Sequence, residues 1–477
     1  MAAEAEGSGA PRSPSSMGFF STVTVAKTTF HVPRRYTFVK RMGAGAFGTV
    51  CCFKDERSGR KVDVRKAHDV TRDFYDASTV FREVKLMGYL QHDNIVQLLD
   101  LLPPSCIDFT DLYSVTEHMD ADLHRVIYSK QPLTDAHFQY FMYQLLRGLK
   151  YLHSANVVHK RLRPGAILLN KNCDLKISDL SSAGPATTTS QSVQTVVQDA
   201  EQWPPVCQWY ASPEGLLLEH TSQPSVDIWA VGCILGELLG RVPVFRGRDK
   251  CDQVRKIVSI MGSPQESAME WLPAQHAARN FLQKLPVSPP QPWTELYPEA
   301  SAGACSLMNG LLQFDPAARL DAARALEHEY FAELHDAEDE PAAAAGFPWS
   351  CLARSPCEPN EPSRMWRNRL YAECVSFREE LLERDVAELE KSGIQSLLDH
   401  QEAEGWYWPK SRPVLQAHWR AISLVVLKSQ DPGVLAVAAA MGEWCLRLAV
   451  LRFLLPAHLQ PRAGLLGASP HAGAAAS

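Results

Sequence analysis

No run in the 477-residue chain is apolar for long enough to cross a bilayer. The most apolar late stretch, 432–442, is short and is bracketed by Lys428, Asp431, Glu443 and Arg447, so it reads as a buried or partner-facing helix. The 12 cysteines form no Cys-x-x-Cys, and the adjacent Cys51 and Cys52 point to opposite faces of a strand. A zinc site or disulfide framework is therefore not expected, and a reducing compartment, cytoplasmic or nuclear, fits. Basic excess is missing too: the formal net charge of -6 argues against a nucleic-acid partner. The first residues are rich in Ala, Gly, Ser and Pro and lack the charged-then-apolar pattern of a secretory signal, so 1–29 reads as a disordered arm. There is no internal repeat. What the chain does have is an apolar fraction of 45%, enough for a large core.

Residues 36–101 read as strands around one helix: a Gly-rich hairpin at 42–52, a strand at 61–66 and a helix at 80–90. From Thr134 the pattern turns helical. Apolar residues recur at spacings of three and four through 136–153, with Thr134 and Asp135 as start signals. Short strands follow over 166–177, then a polar Ser/Thr/Gln stretch over 181–202, then more helices. Beyond Pro341 an Ala/Pro-rich linker leads to a charged helix, about 364–391, and a tail rich in Gly, Ala and Ser.

Seven landmarks occur in order. They are GAGAFGTV from Gly43, Glu83 in FREVKLM, His159 in VVHKRLRPGAILLN, Asp179 in LKISDLSSA, SPE at Ser212, DIWAVGCIL from Asp227 and DPAAR from Asp315. Their order over some 300 residues resembles the protein kinase superfamily. The segments 131–159, 245–264 and 326–341 resemble mitogen-activated protein (MAP) kinases, most nearly the fungal cell-wall-integrity and osmotic-stress branches. The likeness covers roughly 30–378, including a C-terminal extension near Met365 and Phe377. It implies an α+β, two-lobed kinase fold with a C-terminal helical extension. The small lobe, an antiparallel sheet with one helix, is expected over 30–115. The helical lobe spans 116–341, the linker and extension helix 342–392, and an unassigned, partly helical tail 393–477.

The resemblance also marks what is altered. Phosphoryl transfer needs held phosphates, metal ions and an oriented hydroxyl. Gly43, Gly45, Gly48, Val50, Asp63, Arg65, Glu83, Met119 and Asp179 occupy nucleotide-site positions, although the glycines also suit a plain hairpin. Arg65 stands where a phosphate-gripping lysine belongs, and a planar fork does not replace an ammonium. Lys66 faces the other side of the strand. Asp63 stands where an alanine meets adenine, and a carboxylate there is desolvated by the base and repels phosphate. It either pairs with Arg65, leaves Arg65 to Glu83, or lies solvated at a strand edge. Arg161 replaces the aspartate that orients the attacking hydroxyl, and a guanidinium accepts no proton. Arg163 replaces a lysine that steadies the phosphoryl group. Ala166 replaces a metal-ligating asparagine. Asp179 alone is a weak magnesium site, and Leu180 fills the apolar slot beside it. The positions of the activating Thr-x-Tyr pair hold Gln202, Trp203 and Pro204, and Thr187, Thr188 and Thr189 are too far upstream to replace them.

Framework residues are kept. Glu214 is expected to pair with Arg319, and Asp227 to hold the loop at His159. Asp336, Asp339 and Glu340 match the acidic cluster that receives basic docking peptides in MAP kinases, against the simpler reading of a solvated acidic turn. Kept binding surfaces and altered chemistry imply a pseudokinase that binds activating kinases, phosphatases and substrates, with no cofactor. The alternatives are an atypical serine/threonine kinase using ATP and Mg, or a product with no settled function.

Overall fold

Strand alternation builds the first unit. β1 (Phe20–Val25) and β2 (Thr28–Pro33) pair antiparallel, with Ala26 and Lys27 in the left-handed region at the turn. Phe30 and Val32, two apart, are both fully buried. The arm expected over 1–29 therefore gives way to a strand at Phe20. The computed structural model describes residues 20–45, 48–70, 74–102, 109–186, 205–218, 221–352, 369–370 and 373–374. Residues 1–19, the positions 187–189 and 202–204, most of the helix expected at 364–391, and the whole tail, including 432–442, lie outside them.

A five-stranded sheet follows, ordered β3-β4-β5-β7-β6: β3 (Tyr36–Gly45), β4 (Gly48–Asp55), β5 (Lys61–Ala67), β6 (Leu98–Leu102) and β7 (Leu112–Glu117). β3 and β5 both run antiparallel to β4. One face packs Phe53, Val62, Val64, Tyr113 and Val115 against Phe30 and Val32 of the hairpin. Gly48 has φ +116°, and a Cβ there would collide with the backbone carbonyl of Lys66. Only glycine fits that approach.

Helices dominate the second unit. They are α1 (Phe74–Tyr89), α2 (Leu123–Ile127), α3 (Asp135–Ser154), α4 (Pro205–Gln208), α5 (Pro213–Leu217), α6 (Ser225–Gly240) and α7 (Lys250–Met261). After them come α8 (Ala277–Gln283), α9 (Trp293–Leu296), α10 (Ala302–Leu311) and α11 (Ala322–Leu326). A small sheet, β10-β9-β8, joins β8 (Ala121–Asp122), β9 (Ile167–Leu169) and β10 (Leu175–Ile177). Thr134 caps α3, its backbone N–H donating to His137 Nδ1 at 3.2 Å. α6 is buried continuously from Asp227 to Leu238, as an all-round apolar helix requires. The described residues divide into 20–77 with 100–115 and those after 360, and 78–99 with 116–352. The class is the expected α+β, a small antiparallel-sheet unit and a larger helical unit. From Ser78 onward, however, α1 groups with the helical unit rather than with the sheet.

α6 also carries a buried carboxylate, Glu237, held by two tyrosines. Tyr128 Oη donates to Glu237 Oε1 at 2.9 Å, and Tyr210 Oη donates to Oε2. Burial pushes the Glu237 carboxyl above its usual range, only partly offset by the Tyr210 and Tyr128 hydrogen bonds. A raised folded pKa gives stability that is full below the unfolded value, about 4.3, and is lost as pH rises through the folded value. Glu237→Gln should therefore gain stability relative to wild type as pH rises from 4 to 7. Urea midpoints at both pH values measure it, and a pH-independent difference would contradict the assignment.

Candidate functional site

In the sheet unit, β5 sets the side chains. β5 lies between β4 and β7, and Asp63 on it, paired in register with Cys52, is 7% exposed. That rules out the solvated strand-edge reading. Arg65 is half-buried opposite Val50, and Gly43 also pairs with Val50 across the hairpin. Gly45 pairs with Gly48, and the two residues between them lie outside the described set. Lys66 turns to the other face, among the residues under β1 and β2. Its ammonium donates to the Thr29 carbonyl at 2.7 Å and pairs with Asp111 at 2.8 Å, above the Tyr113 ring. It is committed there and does not stand in for the displaced lysine.

In the helical unit, Asp227 organises the loop after α3. Its Oδ2 accepts from the His159 backbone N–H at 2.8 Å and from His153 Nε2 at 3.0 Å; its Oδ1 accepts from the Lys160 backbone N–H at 2.8 Å. Burial alone would raise this carboxyl, but the hydrogen bonds from His153 and from the His159 amide, with the nearby imidazoles, outweigh it and hold the pKa low. His159 Nε2 donates to the Ser178 carbonyl at 2.8 Å, and its Nδ1 accepts from the Arg161 N–H at 3.3 Å. Those two bonds require one tautomer. Arg161 is thereby held by its backbone where the resemblance expects a carboxylate.

The decisive contact is sixteen residues long in sequence. Asp179 sits in the left-handed region at φ 63° and ψ 53°. Its Oδ2 accepts from Arg163 Nη2 at 2.9 Å and its Oδ1 from the Ser181 hydroxyl at 2.8 Å. Both oxygens of Asp179, where the resemblance expects a metal ligand, are thus engaged by the chain itself. Arg163, which replaces the lysine that steadies the phosphoryl group in the resembling family, is an ion-pair partner of Asp179. Ala166 is fully buried, and its carbonyl is taken by the Ser178 amide and hydroxyl at 2.8 and 2.9 Å. A magnesium ion wants octahedral oxygen ligands and avoids a neighbouring cation. One doubly bonded carboxylate, a methyl group and a guanidinium do not fit a pair of such ions.

Glu83 and Met119 are buried at 3% exposure each, and Leu180 is buried. Arg82, which the sequence reading passed over, donates Nη1 to the Ser181 carbonyl at 2.8 Å and so ties α1 to the turn after Asp179. Its place next to Glu83 on a helix gave no pattern to notice.

Lower in the same unit, Arg319 Nη1 and Nη2 donate to Glu214 Oε1 and Oε2 at 2.6 and 2.8 Å, 0% and 3% exposed. Arg319 also reaches the Ser225 and Gln313 carbonyls and lies over the Trp229 ring. The acidic turn divides. Asp339 is 68% exposed and pairs with Arg147 at 3.0 Å, while Asp336 caps its own turn by accepting from the Glu338 N–H at 3.0 Å. Glu340 requires correction. Its side chain is 1% exposed, held by Lys150 at 3.0 Å and His335 at 2.8 Å, so it is an internal anchor and not a surface acceptor. Exposed Glu338 takes its place on the outer face.

The protein kinase domain family model matches residues 36–331. Mitogen-activated protein kinase 6 of rice is 40% identical over 343 residues, 72% of this chain and 89% of that protein. Mitogen-activated protein kinase 4 of Arabidopsis thaliana is 40% identical over 332 residues, 69% and 86% of the two chains. Extracellular signal-regulated kinase 1 of Dictyostelium discoideum is 41% identical over 313 residues, 65% and 58%. With the bilobal elements in order and likeness along nearly the whole of the rice and Arabidopsis proteins, the chain belongs to the MAP kinase family of the protein kinases.

Proposed function

We propose that this family member works in MAP kinase signalling by binding proteins rather than by moving phosphate. The observation that carries the reading is the Arg163–Asp179 ion pair with Ser181 on the second oxygen. A cation already sits at the carboxylate that a metal would need, and Arg161 supplies no base. The partners proposed are activating kinases, phosphatases and substrates whose basic segments meet Asp336, Glu338 and Asp339, in the cytoplasm or nucleus. No cofactor is proposed. The stress-type pathway branch is part of the proposal and rests on segments 245–264 and 326–341.

The test is thermal. An ATP site filled at one hundred times its Kd would add about 2.7 kcal/mol, or roughly 5–10 °C in a domain of this size. The expected result with Mg-ATP is no shift in melting, and a robust rise would count heavily against a blocked site. The binding half has its own measurement. Asp336→Lys should weaken a basic docking peptide about fivefold at low salt and less at high salt, since exposed charges act through screened fields. An unchanged affinity at low salt removes this surface from the proposal.

A second reading has support of its own. The relatives are described as kinases, and Asp179 and Glu83 are retained. On it the chain is an atypical serine/threonine kinase using ATP and Mg. Radiolabelled transfer that disappears in Asp179→Ala would establish it.

A further inference from the structure

Eight residues between α8 and α9, 285–292, read LPVSPPQP and form no helix or strand. Proline fixes its own φ near -65°, and a residue before proline is pushed to extended or polyproline conformations. Every residue of the eight except Val287 is a proline or precedes one. Pro292 has φ -63° and ψ 135°, in the polyproline II region.

Polyproline II repeats every three residues, which sorts the segment into three faces. Leu285, Ser288 and Gln291 form one face, and that face is turned to the protein. The Ser263 N–H donates to the Ser288 carbonyl at 2.9 Å, and the Ser288 N–H donates to Ser263 Oγ at 3.0 Å. The Gln291 N–H donates to the Ile260 carbonyl at 2.8 Å, and its Nε2 to the Ser259 carbonyl at 2.9 Å. These bonds also cover carbonyls at the end of α7. Gly262 permits the close approach: at φ +84°, an added Cβ would meet Pro290 N at 2.8 Å. The second face holds Pro286, Pro289 and Pro292, all exposed. The third holds Val287, 90% exposed, and exposed Pro290.

We propose that 285–292 is a preformed ligand for a domain that reads polyproline II through an aromatic-lined groove. Such grooves take the Pro-x-x-Pro pattern, which occurs here at Pro286 with Pro289 and again at Pro289 with Pro292. Two adjacent apolar faces, one of Pro286, Pro289 and Pro292 and one of Val287 and Pro290, are offered while the third is fastened down. Because the segment is already held, little ordering cost falls on binding. The inference is independent of whether the chain moves phosphate.

The experiment titrates the full chain against a panel of isolated SH3, WW and EVH1 domains by calorimetry. Saturable one-to-one binding by at least one domain is expected. The triple variant Pro286→Ala, Pro289→Ala, Pro292→Ala should weaken it by about tenfold or more. Val287→Asp, which alters only a solvated side chain, should weaken it with an unchanged melting midpoint, and it decides the matter if the triple variant melts lower. Absence of saturable binding by every domain in the panel, or binding indifferent to Val287→Asp in a normally melting chain, overturns the proposal.

Discussion

Phosphate transfer by the purified chain should fall about 100- to 10,000-fold below that of an active family member under the same Mg-ATP and substrate. Loss of general-base help alone is typically about 100- to 10,000-fold. On the proposed reading Arg161 removes that help, and Arg163 with Ser181 occupies Asp179, the carboxylate that would hold a metal. These losses fall on one catalytic unit, so their factors are not multiplied. The direction of repair follows from the same geometry. Arg163→Lys with Ala166→Asn and Arg161→Asp should first restore divalent-cation binding, read as manganese binding by electron paramagnetic resonance. Transfer should return only after Asp63→Ala and Arg65→Lys are added, because on the proposed reading a buried carboxylate at Asp63 would oppose the base and phosphates. Wild-type turnover at an ordinary kinase rate would refute the pseudokinase reading.

Arg319→Ala should be the most destabilising single change in the helical unit, about 3–5 kcal/mol, because it strands a buried Glu214 without its cation. At roughly 2–4 °C per kcal/mol, the melting midpoint falls by about 10 °C. The substitution also frees the Ser225 and Gln313 carbonyls and removes the cation from the Trp229 ring. Adding Glu214→Gln should recover part of the loss, since the charge and not the side chain is then gone. A midpoint within 2 °C of wild type, on the scale of less than about 1 kcal/mol, would mean that the pair is not the brace its geometry implies.

The architecture was legible where a demand falls on a single residue type or on a family landmark. A glycine was needed where Gly48 meets the Lys66 carbonyl, a cap where α3 starts at Thr134, and a buried acid–base pair where SPE and DPAAR stand. The Arg163 contact was not legible. It depends on the left-handed turn at Asp179 and on where the loop lays a guanidinium, which no spacing reports. Glu340 misled for a related reason: an acidic run reads as solvated, and only the fold brings Lys150 and His335 over one member of it. The strands from Phe20 to Pro33 carry alternation at Val23, Val25, Phe30 and Val32, yet the small polar residues before Phe30 read as part of an arm over 1–29. Proline restriction at 285–292 was present in the letters, but which face is fastened required the partners on α7.

The seat of Lys66 has a practical corollary for where this domain begins. The kinase-domain model match starts at Tyr36, but a chain cut there would lack the Thr29 carbonyl that receives an ammonium and the two apolar plugs, Phe30 and Val32, that roof the sheet. A piece that keeps this roof therefore starts some sixteen residues upstream of the matched region, at Phe20. A protease nick near Ala26 would unroof this core while leaving every kinase landmark in place.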